Sequence, residues 1–193
     1  LPTSIPRAGL HRSDPPWLEH EIASHLQQLE DDIEGRSGVR KHYGDESRPL
    51  VLAVRGGSVF SMPGMLTTVV FVGMNDAITE ALAHDGPWRA YDSYRRFIQM
   101  YANVVLDLDG DILEHILEQM KHNRGVTEDT DLTADDLKKL VGLFKTKVKE
   151  ELGRDFPMDS KEQLWGAIGA VFSSWMNARA ITYRRLNNIH VEW

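Results

Sequence analysis

The sequence has 193 residues, 41% of them hydrophobic, which is enough for one large domain or two small ones with a packed core. A formal charge of -7, from 22 basic and 29 acidic residues, argues against a role on nucleic acid, whose backbone calls for a basic face. The absence of cysteine excludes a disulfide scaffold and thiolate chemistry, and no apolar run approaches the roughly 20 residues of a membrane span.

The opening stretch, Leu1-Pro2-Thr3-Ser4-Ile5-Pro6-Arg7, has neither an apolar signal core nor an initiator Met. It suggests a piece of a longer, cytoplasmic protein. The first ten or so residues read as linker, broken by Pro and Gly. Asp14 before Pro15-Pro16 marks a helix entry, and Leu18, Ile22, Leu26, Leu29 and Ile33 follow on one face until Gly35. The segment from Arg36 to Pro49, interrupted by Gly38 and Gly44, reads as a loop. Leu50-Val51-Leu52-Ala53-Val54 is short, apolar and β-branched, the signature of a buried strand. Thr67 to Val72 predicts a second strand.

Everything after Asn75 reads as helical. Tyr94, Phe97, Ile98, Tyr101, Val105 and Leu108 line one long helix, and Leu113, Ile116, Leu117 and Met120 the next. Thr133 and Asp136 resemble a capping box ahead of Leu137, Leu140, Val141, Phe144 and Val148, and Gly153 closes that helix. Asp159, with Glu162 three residues on, starts another, whose core face is Leu164, Ile168, Val171, Phe172 and Trp175. A last helical stretch carries Arg179, Tyr183, Arg184 and Arg185. No internal repeat is visible.

Arg55 stands where the first strand runs into Gly56-Gly57-Ser58. Its planar fork can grip a phosphate while the glycines let the backbone approach; a surface salt bridge fits the same pattern. The Ser61-Met62-Pro63-Gly64-Met65 turn can wrap an anion with its amides, or be a turn and nothing more. The eight histidines lack metal spacing and read as structural or solvent-facing. The acidic stretches Asp107 to Asp111 and Glu128 to Asp131 lack calcium-loop spacing and read as helix caps and solvated loops. In Arg95-Arg96 and Arg184-Arg185, adjacent side chains point about 100° apart, so one of each pair can turn inward against carboxylates.

Several stretches resemble the pyruvate, phosphate dikinases. They are Val54 to Met65, Asn75-Asp76, Ala90 to Tyr101, Asp129 to Leu137 and Asn177 to Asn187, in the family's order and spacing. The resemblance runs from roughly Arg40 to Trp193, with Gly56 where the family commonly has Ser and Thr67 where it commonly has Asp. It implies an α+β, predominantly helical fold: an incomplete ATP-grasp nucleotide-binding domain over 1–193, with a helical subdomain over about 75–157.

The implied parent converts ATP, phosphate and pyruvate to AMP, pyrophosphate and phosphoenolpyruvate through a phosphohistidine, with magnesium on the nucleotide, and is a homodimer. By that resemblance Arg55 holds ATP phosphates, the backbone at Gly64 lies beside the nucleotide, and Arg179 docks the phosphohistidine domain of the same parent chain. The resemblance places the metal ligands, the family's glycine-lysine segment, the phosphohistidine and the pyruvate site outside this sequence. No catalytic residue is therefore expected in it, nor activity by itself. Competing readings are a non-catalytic helical interaction module, or part of a phosphoenolpyruvate synthase or a glucan-phosphorylating dikinase. The Tyr91–Tyr101 signature favours the pyruvate, phosphate enzyme.

Overall fold

A computed structural model describes residues 16–57, 60 and 62–189. The expected linker, the helix entry at Asp14, His11, His190, Ser58 and Ser61 lie outside the described residues. Helices dominate the rest, as the apolar periodicity requires.

Helix α1, Pro16–Ser37, carries the predicted stripe past Gly35, and the chain turns at Gly38 instead, where φ is 68°. A glycine inside a helix weakens it without ending it, whereas a left-handed residue stops the hydrogen-bond ladder. The predicted loop from Arg36 to Pro49 contains a short strand, β1, His42–Tyr43. Buried Glu30 of α1 organises it: its carboxylate accepts from the Tyr43 amide at 2.8 Å and lies 2.7 Å from His42 Nδ1.

The predicted strand from Leu50 to Val54 is divided. Pro49–Leu50, β2, pairs in parallel with β1, and Leu52–Arg55, β3, pairs antiparallel with β4, Thr68–Val72. In the second ladder Leu52 faces Val72, Val54 faces Val69 and Arg55 faces Thr68. Ala53 is therefore opposed by both Val70 and Phe71, a bulge in which Phe71 takes a left-handed φ of 60°. The result is two small two-stranded sheets.

From Asn75 the chain is helical, as predicted. Helices α2 (Asp76–Ala83), α3 (Pro87–Val104), α4 (Gly110–Arg124) and α5 (Ala134–Leu152) follow, then α6 (Ser160–Ser173) and α7 (Ala178–Leu186). Four of these starts, those of α2, α4, α5 and α6, are capped by local acceptors: Asn75 takes the Ile78 amide, Asp109 that of Asp111, Thr133 that of Asp136 and Asp159 that of Glu162. Helix α3 is central, touching α2, α4, α5 and β4. Tyr94, Phe97, Ile98 and Tyr101 are its buried face, and Phe97, Tyr101 and Phe156 stack with ring centroids 5.3–5.7 Å apart. Leu108 is buried as expected but lies beyond the helix end at Val104.

Two polar links hold this core to its neighbours. The fully buried Gln163 amide donates to the carbonyls of Met74 and Pro157 at 2.9 and 2.8 Å, and its oxygen accepts the Gly73 amide at 3.0 Å. This ties α6 to the turn after β4. Arg95, 2% exposed, sits between Asp92 and Asp129, and Lys121 reaches Asp129 at 3.2 Å. The outcome matches the expectation for Arg95-Arg96, since Arg96 stays half-exposed on the other side of Asp92. It also corrects the reading of the Glu128 to Asp131 stretch: Asp129 is an ion-pair hub on a 3-10 turn, Asp129–Asp131, because two buried cations converge on it. Among the described residues no helix is long and apolar enough to cross a membrane.

Candidate functional site

The end of the β3–β4 hairpin carries the candidate residues. Side chains alternate along β3, with Leu52 and Val54 half-buried and Ala53 and Arg55 exposed. Arg55 is thus presented to solvent at the end of its strand, opposite Thr68. Among the described residues it has no carboxylate partner, so the salt-bridge reading finds no counterpart there. Gly56 follows: a Cβ there would come within 2.9 Å of Leu66 Cδ1 and 3.5 Å of Val171 Cγ1, so a larger residue requires the Leu66 side chain to shift. The glycine closes the base of the loop against α6.

Met62 is buried and anchors the loop, and the Met65 amide closes a turn on the Met62 carbonyl at 3.1 Å. Pro63 and Gly64 occupy its two central positions, Gly64 with φ 70°, which is the residue chemistry of a type II turn. A Cβ at Gly64 would meet nothing within 4 Å, so the backbone there faces open space that a ligand could approach.

The loop returns at Thr67, whose amide donates to Ser174 Oγ at 3.1 Å. That hydroxyl donates in turn to the Val171 carbonyl at 2.6 Å. Ser174, 2% exposed, opens a 3-10 turn, Ser174–Met176, that leads directly into α7. The guanidinium of Arg184, nearly buried, lies 5.3 Å from the Trp175 ring centre and donates to the Trp175 carbonyl at 2.7 Å. Arg184 therefore turns inward as expected, but onto an aromatic face and a carbonyl, because the 3-10 corner leaves those acceptors bare; Arg185 stays exposed. Trp175 belongs to this corner and is half-buried, instead of continuing the α6 core face as its spacing suggested; Trp165 is the tryptophan of α6 that is buried.

Arg179 lies in the first turn of α7, exposed and without an ion-pair partner among the described residues. A cation is poorly placed at the positive end of a helix dipole, so helix stability does not explain its position. The chain of contacts from Arg55 to Thr68, Thr67 to Ser174, and Ser174 into α7 puts the Arg55 strand end, the Gly64 loop and the start of the Arg179 helix in one connected corner. Residue-by-residue reading missed Ser174, Arg184 and the packing role of Gly56. Asn177-Ala178 after Trp175 hinted at a helix break, but nothing local pointed to the serine. A concavity of about 720 Å³ lies elsewhere, lined by Leu50, Phe71, Met74, Leu82, Trp88 and Arg89 among others, and includes none of the predicted site residues. Among the described residues no group of three or more acids or histidines could hold a metal ion.

Residues 11–192 match the family described as pyruvate phosphate dikinase, AMP/ATP-binding domain, so the match begins upstream of the resemblance at Arg40. The chain is 47% identical over 184 residues to a pyruvate, phosphate dikinase of Rhizobium meliloti (strain 1021), covering 94% of this chain and 20% of that protein. It is 50% identical over 156 residues to one of Clostridium symbiosum, covering 79% of this chain and 18% of that protein. It is 47% identical over 176 residues to the chloroplastic pyruvate, phosphate dikinase 1 of Oryza sativa subsp. japonica, covering 91% of this chain and 18% of that protein. The chain thus spans about a fifth of the length of these relatives. With a match over nearly its whole length, the chain belongs to the pyruvate phosphate dikinase AMP/ATP-binding domain family.

Proposed function

We propose that this chain forms part of the ATP site of a dikinase that converts ATP, phosphate and pyruvate to AMP, pyrophosphate and phosphoenolpyruvate through a phosphohistidine. In this reading residues 1–193 are part of an ATP-grasp domain, and 75–157 are its helical subdomain. The buried face of α3, shared with α2, α4 and α5, supports treating those helices as one packed unit. Arg55 holds the nucleotide phosphates, the backbone at Gly64 lies beside the nucleotide, and Arg179 receives the phosphohistidine domain of a homodimeric, cytoplasmic parent.

One observation carries the reading: Arg55 is an exposed arginine at a strand end, without a carboxylate among the described residues, beside an open Pro-Gly turn. A guanidinium held this way can donate in a bidentate fashion to phosphate oxygens and meet negative charge as it develops during transfer. The magnesium that phosphoryl transfer uses is, in this reading, held by parts of the parent outside this sequence.

The test is Arg55→Ala in the full-length dikinase that carries this sequence. Phosphorylation of the histidine by ATP should slow about a hundredfold, corresponding to about 3 kcal/mol. Transfer between that histidine and pyruvate should keep its rate, because that site is remote. Equal damage to both half-reactions would show a folding defect and overturn the assignment.

A further inference from the structure

We infer that Ser174 is a positioning residue that couples the nucleotide loop to the helix bearing Arg179, so that the setting of one changes the other. The inference rests on the proposed roles of the Gly64 loop and Arg179. Its own evidence is the geometry of one buried hydroxyl. The single Ser174 proton is committed to the Val171 carbonyl, 2.6 Å away, and the oxygen receives the Thr67 amide at 3.1 Å. Ser174 is 2% exposed, so its bond to the Val171 carbonyl is shielded from water.

Further contacts tie this corner together. The Asn177 amide donates to the Ser174 carbonyl at 3.2 Å, and the Ile181 amide to the Asn177 carbonyl at 3.0 Å, so the 3-10 turn and the first turn of α7 are continuous. Arg184 clamps the same turn through Trp175. Gly56 at the start of the loop lies close to Leu66 and to Val171, the residue whose carbonyl Ser174 holds, for a Cβ built on it would be 2.9 and 3.5 Å from their side chains. A shift of the loop is therefore passed to Ser174, and from Ser174 to the turn that orients Arg179 five residues on. Coupling of this kind is reciprocal: a loop set by nucleotide favours docking at Arg179, and docking favours the nucleotide by the same factor.

The experiment is a double-mutant cycle on the ATP half-reaction of the full-length dikinase, with melting temperatures recorded alongside. Ser174→Ala should slow that half-reaction about tenfold, the scale of one lost buried hydrogen bond, and leave the pyruvate half-reaction unchanged. Ser174→Thr keeps the hydroxyl and should restore most of the rate. Combined with Arg179→Glu, Ser174→Ala should add little further loss, because both changes act on the same docking step. Thr67→Pro deletes the same bond from the loop side and serves if Ser174→Ala does not fold. Multiplicative losses with Arg179→Glu, or a Ser174→Ala enzyme at full rate, would overturn the coupling while leaving Arg179 as a docking residue. An Arg179→Glu enzyme at full rate would instead remove the docking reading itself, and the coupling with it.

Discussion

Asp136 shows how much one side chain in this chain does. It is 2% exposed, and its carboxylate accepts from the Thr133 amide at 3.2 Å, the Thr133 hydroxyl at 2.7 Å and Arg124 Nε at 2.7 Å. Burial acts to raise its pKa, but the hydrogen bonds from Thr133 and Arg124 outweigh it and hold the group below the usual aspartate value. A carboxylate depressed in the folded state contributes stability above its unfolded pKa, near 4, and loses it as pH falls through the lower folded value. Asp136→Asn should therefore cost about 1–2 kcal/mol at pH 7, from the weakened capping box and the lost ion pair with Arg124. Thermal melts should show that gap narrowing at pH 3. A gap of equal size at both pH values would assign the effect to cap geometry alone. The capping box itself was legible, because donor and acceptor are three residues apart; Arg124 was not, because it arrives from another helix.

At the scale of elements, the seating of the Tyr101 side chain of α3 against α6 depends on a residue that sequence pattern does not flag. A Cβ at Gly166 would lie 2.1 Å from the Tyr101 hydroxyl oxygen and 3.0 Å from Val105 Cγ1. Tyr101 cannot swing away, since it is 1% exposed and stacked against Phe97 and Phe156. Gly166→Ala gains about 1 kcal/mol of helix propensity but overpacks the interface by about 2–3 kcal/mol. The net expectation is a loss of about 1–2 kcal/mol in denaturant unfolding; a stabilised variant would mean that the two helices separate more freely than this packing allows. The divided strand belongs to the same scale. Apolar continuity from Leu50 to Val54 says that the segment is extended, but the partner of each half is chosen by distant chain, β1 for one and β4 for the other. The bulge at Phe71 is equally silent in sequence, since a Phe with positive φ runs against its ordinary preference.

For the whole molecule, the expectation concerns activity. The phosphohistidine is proposed to lie outside this sequence, the described residues bring no metal-binding cluster together, and the relatives it matches are about five times longer. The chain alone should form no phosphoenolpyruvate from ATP, phosphate and pyruvate, as read by product assay. Its affinity for ATP should be weak, since part of a cradle offers part of the contacts; calorimetry giving a Kd below about 1 µM would contradict this. Phosphoenolpyruvate formation by the chain would contradict the division of labour proposed for it.

The sequence by itself determined the helical character after Asn75, the capping box at Thr133 with its stop at Gly153, the buried stripe of α3, and the place of Arg55 at a strand end. It also pointed to the family, through ordered stretches such as Tyr91 to Tyr101. These features are short-range: hydrogen bonds closing over three or four residues, apolar repeats of 3.6, and the alternation of a strand are all written in neighbouring letters. Only the tertiary structure decided that Ser174 meets Thr67 across 107 residues, that Gln163 holds Gly73 across 90, and that Asp129 collects Arg95 and Lys121. Each of these is a polar group whose partner is set by how helices pack. Packing is a property of side-chain volumes summed over the core, which no local pattern records.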